Sequence, residues 1–225
     1  MKTSPRHCIM RCSAHACGLR FPVLEGDPRG TVCPMCRAPA HQVHGPYEEH
    51  EAPPLSTPEE LPTIHVLLDN IRSIYNVGSI FRTSDGVHVE HIYLCGITPT
   101  PHNPRLKKTA LGSDEVISWS YHQDGYKTAQ ALIAQGKRLW ALEGGGNSES
   151  LFSSSIEVPN APIVLVIGNE VCGVDPGILS MCEKILGIPM GGIKTSLNTA
   201  VAFGIAVYTL RFNHERLLPA GEDTF

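Results

Sequence analysis

Residues 163–174 read IVLVIGNEVCGV. Five branched aliphatic residues in a row, followed at once by Gly168 and the polar pair Asn169–Glu170, describe a strand buried on both faces that ends in a tight turn. Strands without polar alternation belong to parallel sheets covered by helices on either side. Working outward, residues 64–69 (IHVLLD), 91–95 (HIYLC), 116–119, 138–142 (RLWAL) and 184–188 read as further strands. Segments with helical spacing lie between them: 76–88, 125–135 closed by Gly136, a short turn at 176–181, and the long apolar run 196–212. Residues 97–113, with Pro, Gly and Lys, read as a loop. This alternation predicts an α/β class, a parallel sheet with helices on both faces.

The part of the chain before this pattern is different. Residues 1–45 are rich in Cys, Gly and Pro with little periodicity, and residues 46–62 (PYEEHEAPPLSTPEELP) have the acidic, Pro-rich composition of a linker. The expected organisation is a small module over 1–45, a linker over 46–62 and an α/β domain over 63–225. No apolar run is long enough to cross a membrane, and residues 1–10 lack the apolar stretch of a secretion signal, so a soluble cytoplasmic protein is expected. The formal net charge is −4, yet residues 1–46 hold six Lys/Arg against two Asp/Glu. A polyanionic partner would meet that basic piece, or the cluster Arg105, Lys107 and Lys108, rather than the whole surface.

Five of the eight cysteines fall within the first 36 residues. Clustering without a secretion signal points to metal ligation rather than disulfides. Cys12 and Cys17 form one pair and Cys33 and Cys36 a second, each followed by turn-forming residues, as in knuckles that converge on tetrahedral zinc. Such a zinc would supply the stability that a short segment cannot draw from a core. Cys8, His7 and His15 lie close enough in sequence to replace a ligand. Cys95, Cys172 and Cys182 sit in apolar surroundings and are expected to be buried. Arg11, Arg20 and Arg37 of the ribbon suit phosphate contacts that position a nucleic acid.

Three segments follow strand ends and combine glycines with polar residues: 76–83 (NVGSIFRT), 167–174 (IGNEVCGV) and 188–198 (IPMGGIKTSLN). In open α/β sheets, loops at the carboxyl ends of strands are where ligands bind. Each segment alone has a structural reading; Asn198, for one, suits the cap of the last helix. Neither a dinucleotide GxGxxG spacing nor a Walker A lysine motif is present.

Taken in order and spacing, the three segments resemble the signature motifs of SpoU-like (TrmH-type) RNA 2′-O-ribose methyltransferases of the SPOUT superfamily. The resemblance covers residues 64–212. It implies a sheet whose C-terminal segment threads a trefoil knot, a homodimer, and S-adenosylmethionine held by backbone groups of the knot. Carried over by motif, it implies Arg82 as the catalytic arginine with Asn76, Glu170, Ser196 and Asn198 beside it. The cofactor pocket would form around Leu142, Glu143, Gly144, Ile167, Gly168, Gly173, Ile188, Met190 and Leu197. A ribose 2′-hydroxyl must lose its proton during attack on the sulfonium methyl. A guanidinium, with a pKa above roughly 12, resists acting as the base. Stabilising the developing oxyanion is the more comfortable role for Arg82, and whether it also takes the proton stays open. A 2′-hydroxyl target means RNA rather than DNA. The ribbon departs from the simplest members of the family and leaves tRNA or rRNA open. A non-catalytic RNA-binding member of the fold is the alternative expectation.

Overall fold

In the computed structural model, which describes residues 5–48, 62–159 and 161–212, the chain divides into two units, Met1–Thr57 and Pro58–Phe225. Most of the expected linker and the tail after Asn213 lie outside the described residues.

The first unit is a three-stranded antiparallel sheet of order β2-β1-β3, from β1 (Arg6–Cys12), β2 (Arg20–Leu24) and β3 (Ala40–Glu48). The sequence of this unit shows little periodicity because cysteines, rather than large apolar residues, fill its buried side. Cys8 and Cys12 point inward, and Val23 packs where a Cβ on Gly30 would come within 2.9 Å. The strand continues into the stretch expected to be linker, since Arg6 and His7 pair with Glu48 and Tyr47.

The second unit is a seven-stranded parallel sheet. In chain order it runs β4 (Ile64–Asp69), α1 (Ile74–Gly86), β5 (His91–Cys95), α2 (Pro104–Ala110), α3 (Ser113–Val116), β6 (Trp119–His122) and α4 (Gly125–Ala134). It continues through β7 (Arg138–Leu142), β8 (Glu149–Ser150), β9 (Ile163–Ile167), α5 (Pro176–Leu179), β10 (Lys184–Gly187) and α6 (Thr199–Phe212). The sheet order is β6-β5-β4-β9-β7-β10-β8. Ile163, Leu165 and Ile167 of β9 pack on one face with Val66 of β4 and with α1 and α6. Val164 and Val166 pack on the other with Leu67, Ala129 of α4 and Ile178 of α5. Burial on both faces is why β9 carries no polar residue.

Three expectations need correction. Residues 97–113 are not all loop, because Asn103 accepts from the Arg105 amide and starts α2 with Pro104 in its first turn. The strand expected at 116–119 begins only at Trp119, Val116 belonging to α3. Of the three cysteines expected buried, Cys95 is buried, Cys182 is half-buried and Cys172 is exposed. The last helix starts at Thr199, and Asn198 caps it by accepting from the Ala200 and Val201 amides at 3.0 and 3.3 Å. Buried Arg211 of α6 donates to the backbone carbonyls of Val87, Pro62 and His88. Among the described residues no helix is long and apolar enough to cross a membrane.

Candidate functional site

The loops after β7, β9 and β10 converge where the strand order turns back on itself, and they enclose a cleft of about 250 Å³. All nine residues expected to hold a cofactor line it. Leu142, Glu143 and Gly144 come from the end of β7; Ile167, Gly168 and Gly173 from β9 and its loop; Ile188, Met190 and Leu197 from the segment leading into α6. Glu170 and Ser196 line it too, together with Asn169, Thr195 and Thr199, which the sequence reading passed over.

Glycine decides the shape of this cleft at two positions. A Cβ on Gly168 would stand 2.2 Å from the backbone of Gly173 and Val174, so the loop can close on itself only over glycine. Gly173 has φ of 76° and hydrogen-bonds in both directions with Asn169 at 2.9 Å. Asn169 holds the turn further by accepting from the Val171 and Cys172 amides and donating to the Asn70 carbonyl at 2.7 Å. The signal for it was an asparagine directly before a turn, where its side chain mimics backbone. From β7, Glu143 accepts from the Val174 amide at 2.9 Å and pins the far end of the loop. Gly144, by contrast, offers open backbone, with nothing within 4 Å of a Cβ built there.

The polar residues of the three motifs form one network. Glu170 accepts from the Arg72 and Ser73 amides at 2.8 and 3.0 Å, and from the Asn76 side chain at 3.0 Å. These donors sit at the start of α1, where free N–H groups and the helix dipole favour a negative charge. Partial burial raises the Glu170 pKa, but the three hydrogen bonds outweigh it and hold the carboxyl below its ordinary value. Asn76 accepts in turn from the Asn198 side chain at 3.1 Å.

Arg82 lies apart from this network. It is exposed on α1 and does not line the cleft of its own chain. It is seven residues from Tyr75, so the two share one stripe of the helix, and Tyr75 is 66% exposed. Gly86 extends the stripe and meets α6, since a Cβ there would come 3.0 Å from the Tyr208 hydroxyl.

In the ribbon, the sulfurs of Cys12, Cys17, Cys33 and Cys36 all lie within 4.8 Å of one another. Cys12–Cys36 and Cys17–Cys33 are 3.4 and 3.8 Å apart. Four thiolates at about 2.3 Å from a tetrahedral zinc stand roughly 3.8 Å from each other, so the cluster fits that ion. Each pair ends in a left-handed residue, Gly18 at φ 57° and Arg37 at φ 64°, which turns the chain back as a knuckle. Cys8, His7 and His15 are not among the clustered ligands.

Comparison with known proteins agrees with this geometry. The chain is 27% identical over 163 residues to the 23S rRNA (guanosine-2′-O-)-methyltransferase RlmB of Pectobacterium atrosepticum, covering 72% of this chain and 64% of that one. It is 28% identical over 153 residues to the tRNA (guanosine(18)-2′-O)-methyltransferase of Aquifex aeolicus, covering 67% of this chain and 69% of the relative. The AdoMet-bound rRNA methyltransferase structure from Sinorhizobium meliloti superposes with a TM-score of 0.63 at 26% identity, over 76% of this chain and 63% of that one. The chain therefore spans less than two thirds of the first of these relatives. The model of the SpoU rRNA Methylase family matches residues 63–208, and the chain belongs to that family.

Proposed function

We propose that this chain transfers the methyl group of S-adenosylmethionine to a ribose 2′-hydroxyl of tRNA or rRNA. The observation that carries the reading is the convergence of the motif segments 167–174 and 188–198 with the end of β7 on one cleft at the switch point of the sheet, with the third motif tied to them through Asn76. The cleft suits the cofactor. Ile188, Met190 and Leu197 supply apolar contact for an adenine, and the bare backbone at Gly144 allows close approach. When bound, the cofactor supplies an electrophilic methyl on sulfur.

The chain's own residues divide the remaining work. Arg82 binds the 2′-oxygen and stabilises the charge that grows on it. Glu170, with its carboxylate engaged by three donors, positions α1 rather than taking a proton. Asn76 and Asn198 carry that positioning to the start of α6, and Ser196 faces the bound molecule from the cleft wall.

A homodimer is part of the same reading. Val201 and Tyr208 of α6 are 52% and 46% exposed and lie seven residues apart, beside the α1 stripe that carries Tyr75 and Arg82. A second copy covering this apolar face would bury it and enclose Arg82. The reading also includes the C-terminal knot, one zinc in the ribbon, which extends to Glu48, and a cytoplasmic place beside the RNA. The ribbon acts as an RNA-positioning module through Arg11, Arg20 and Arg37.

Labelled methyl transfer from S-adenosylmethionine to total RNA lacking endogenous modification, followed by nucleoside analysis, tests it. A labelled 2′-O-methylnucleoside is expected, and separating tRNA from rRNA assigns the substrate. Absence of both transfer to any RNA and cofactor binding would point to the non-catalytic alternative.

A further inference from the structure

Directly opposed residues of antiparallel strands point to the same side of a sheet. Arg11 in the middle strand of the ribbon is opposed by Arg20 on β2 and His41 on β3. Two residues back, Ile9 is opposed by Pro22 and His44, and His7 by Leu24 and Tyr47, the register with β3 shifting by one residue on either side of Ile9. Ring positions agree with this register, the Tyr47 ring lying 6.0 Å from His7 and 6.3 Å from His44. The opposite side carries buried Cys8 and Cys12 and is the ribbon's interior. The side bearing Arg11 is the outer one, where Arg11, Arg20, His41, His44 and Tyr47 are all exposed.

Two properties of this face define its partner. Arg11 and Arg20 place like charges directly across a strand pair, which destabilises the pair. Neither has a carboxylate partner among the described residues, whereas Arg6 and Arg29 are paired with Glu25 and Asp27 at 3.4 and 2.7 Å. None of the opposed residues on this face is acidic. A phosphate placed between two guanidinium groups turns that repulsion into charge-assisted hydrogen bonding. The other end of the face presents rings, which accept bases by stacking whatever their identity. His7 and Arg11 are four residues apart along β1, roughly 13 Å, which separates the ring end from the charged end by more than one nucleotide.

From this face we infer that the outer side of the β2-β1-β3 sheet binds a single-stranded stretch of RNA, with Arg11 and Arg20 on phosphates and Tyr47, flanked by His7 and His44, as the stacking platform. The inference rests on the RNA reading above and adds the face, the strandedness and the division of roles. It also separates Arg37, which lies in the second knuckle, from the two arginines that share the sheet.

The test uses the full chain and a fluorescently labelled mixed-sequence RNA decamer, with affinity measured across a salt series. The double variant Arg11→Gln/Arg20→Gln is expected to weaken binding at least about tenfold and to reduce the slope of log affinity against log salt by about 1.4, as for two phosphate contacts on a single strand. Tyr47→Ala should weaken binding by about five- to a hundredfold, with Tyr47→Phe close to the parent. Arg29→Gln, which loses a guanidinium already held by Asp27, should stay within about twofold. Unchanged backbone circular dichroism checks that the variants fold. Equal affinity and slope in the double variant would overturn the inference, as would an Arg29→Gln effect of the same size. Full competition by a polyglutamate peptide would point to an acidic protein instead and overturn it as well. Methyl transfer to total RNA, assayed on the same samples, keeps the two readings separable: parent protein that binds the decamer through this face yet methylates nothing would sink only the enzymatic one.

Discussion

The side-chain amide of Asn198 donates to Oδ1 of Asn76 at 3.1 Å, joining residues 122 positions apart in the chain. Each asparagine has a second duty: Asn198 caps α6, and Asn76 donates to Glu170 at the start of α1. The two helices that carry the motif residues are therefore set against each other by side-chain amides at their N-terminal ends, and the loop after β9 is held to the start of α1 through Glu170.

Replacing Asn76 by alanine leaves Glu170 and Asn198 each short of a partner. The expected cost is about 1–3 kcal/mol in chemical denaturation, with methyl transfer reduced along with it. Asn76→Asp, which sets a second carboxylate against Glu170, should be worse on both counts. A variant as stable and as active as the parent would dismiss the network as incidental.

The Arg82 side chain makes no hydrogen bond or ion pair among the described residues, so its loss should be felt in chemistry rather than folding. Arg82→Ala is expected to lower methyl transfer by about 10²–10³-fold while shifting stability by no more than about 0.5 kcal/mol. Cofactor affinity, measured by calorimetry, should hold. Appreciable residual transfer would remove the assigned role.

Gly168→Ala drives a methyl group into the backbone of Gly173 and Val174, 2.2 Å away. Backbone cannot yield as a flexible side chain can, and a destabilisation of about 3 kcal/mol or more is expected, with cofactor binding lost. Gly144→Ala, into open space, is the control for folding and should leave the melting temperature unchanged.

Metal analysis should find about one zinc per chain, and Cys33→Ser should lower that occupancy. Chelation is expected to unfold the ribbon while the cooperative transition of the larger unit persists, because the small sheet has little else to hold it. Fully folded ribbon in metal-free protein would contradict this.

Burial holds the His65 imidazole down to about 4 from its ordinary 6.5, with Lys137 and His91 pushing the same way. The folded protein keeps it neutral, while the unfolded chain takes up a proton as pH falls through 6.5. Stability on this account is full above 6.5, declines between 6.5 and about 4, and loses nothing further from this group below that. Glu170, also depressed, acts in a lower window, beneath the ordinary glutamate value. A melting temperature that falls across the histidine window, and falls less in His65→Phe, is the expected result. A flat profile in the parent would rule it out.

Strands buried on both faces were legible residue for residue, as Ile64–Asp69 and Ile163–Ile167 show. Edges were not. The edge strand β6 has two half-buried sides and mixed polarity, so its pattern reads three residues early. In α2, seven residues are too few to reveal a helical period, although Asn103 and Pro104 are ordinary start signals. The ribbon strands were hidden because cysteines fill the positions where large apolar residues would mark a core. At the cleft, motif spacing identified the wall residues, and Asn198 was readable as a cap. What spacing could not convey is that Glu170 bonds to the start of α1, or that Arg82 stands away from its own cleft. Both depend on contacts between segments about a hundred residues apart or on a helix face, which only the fold supplies.

The place of β9 has a consequence for how the chain is made. It pairs with β4 on one side and β7 on the other, so a ribosome delivers both neighbours before the strand that joins them. Until Ile163–Ile167 emerges, β4 waits with one edge open, and the carbonyls of Pro62, Val87 and His88 wait longer still for Arg211. Assembly of this unit is thus postponed until α6 has been made, and a nascent chain halted before α6 would be a client for chaperones rather than an early-folding domain.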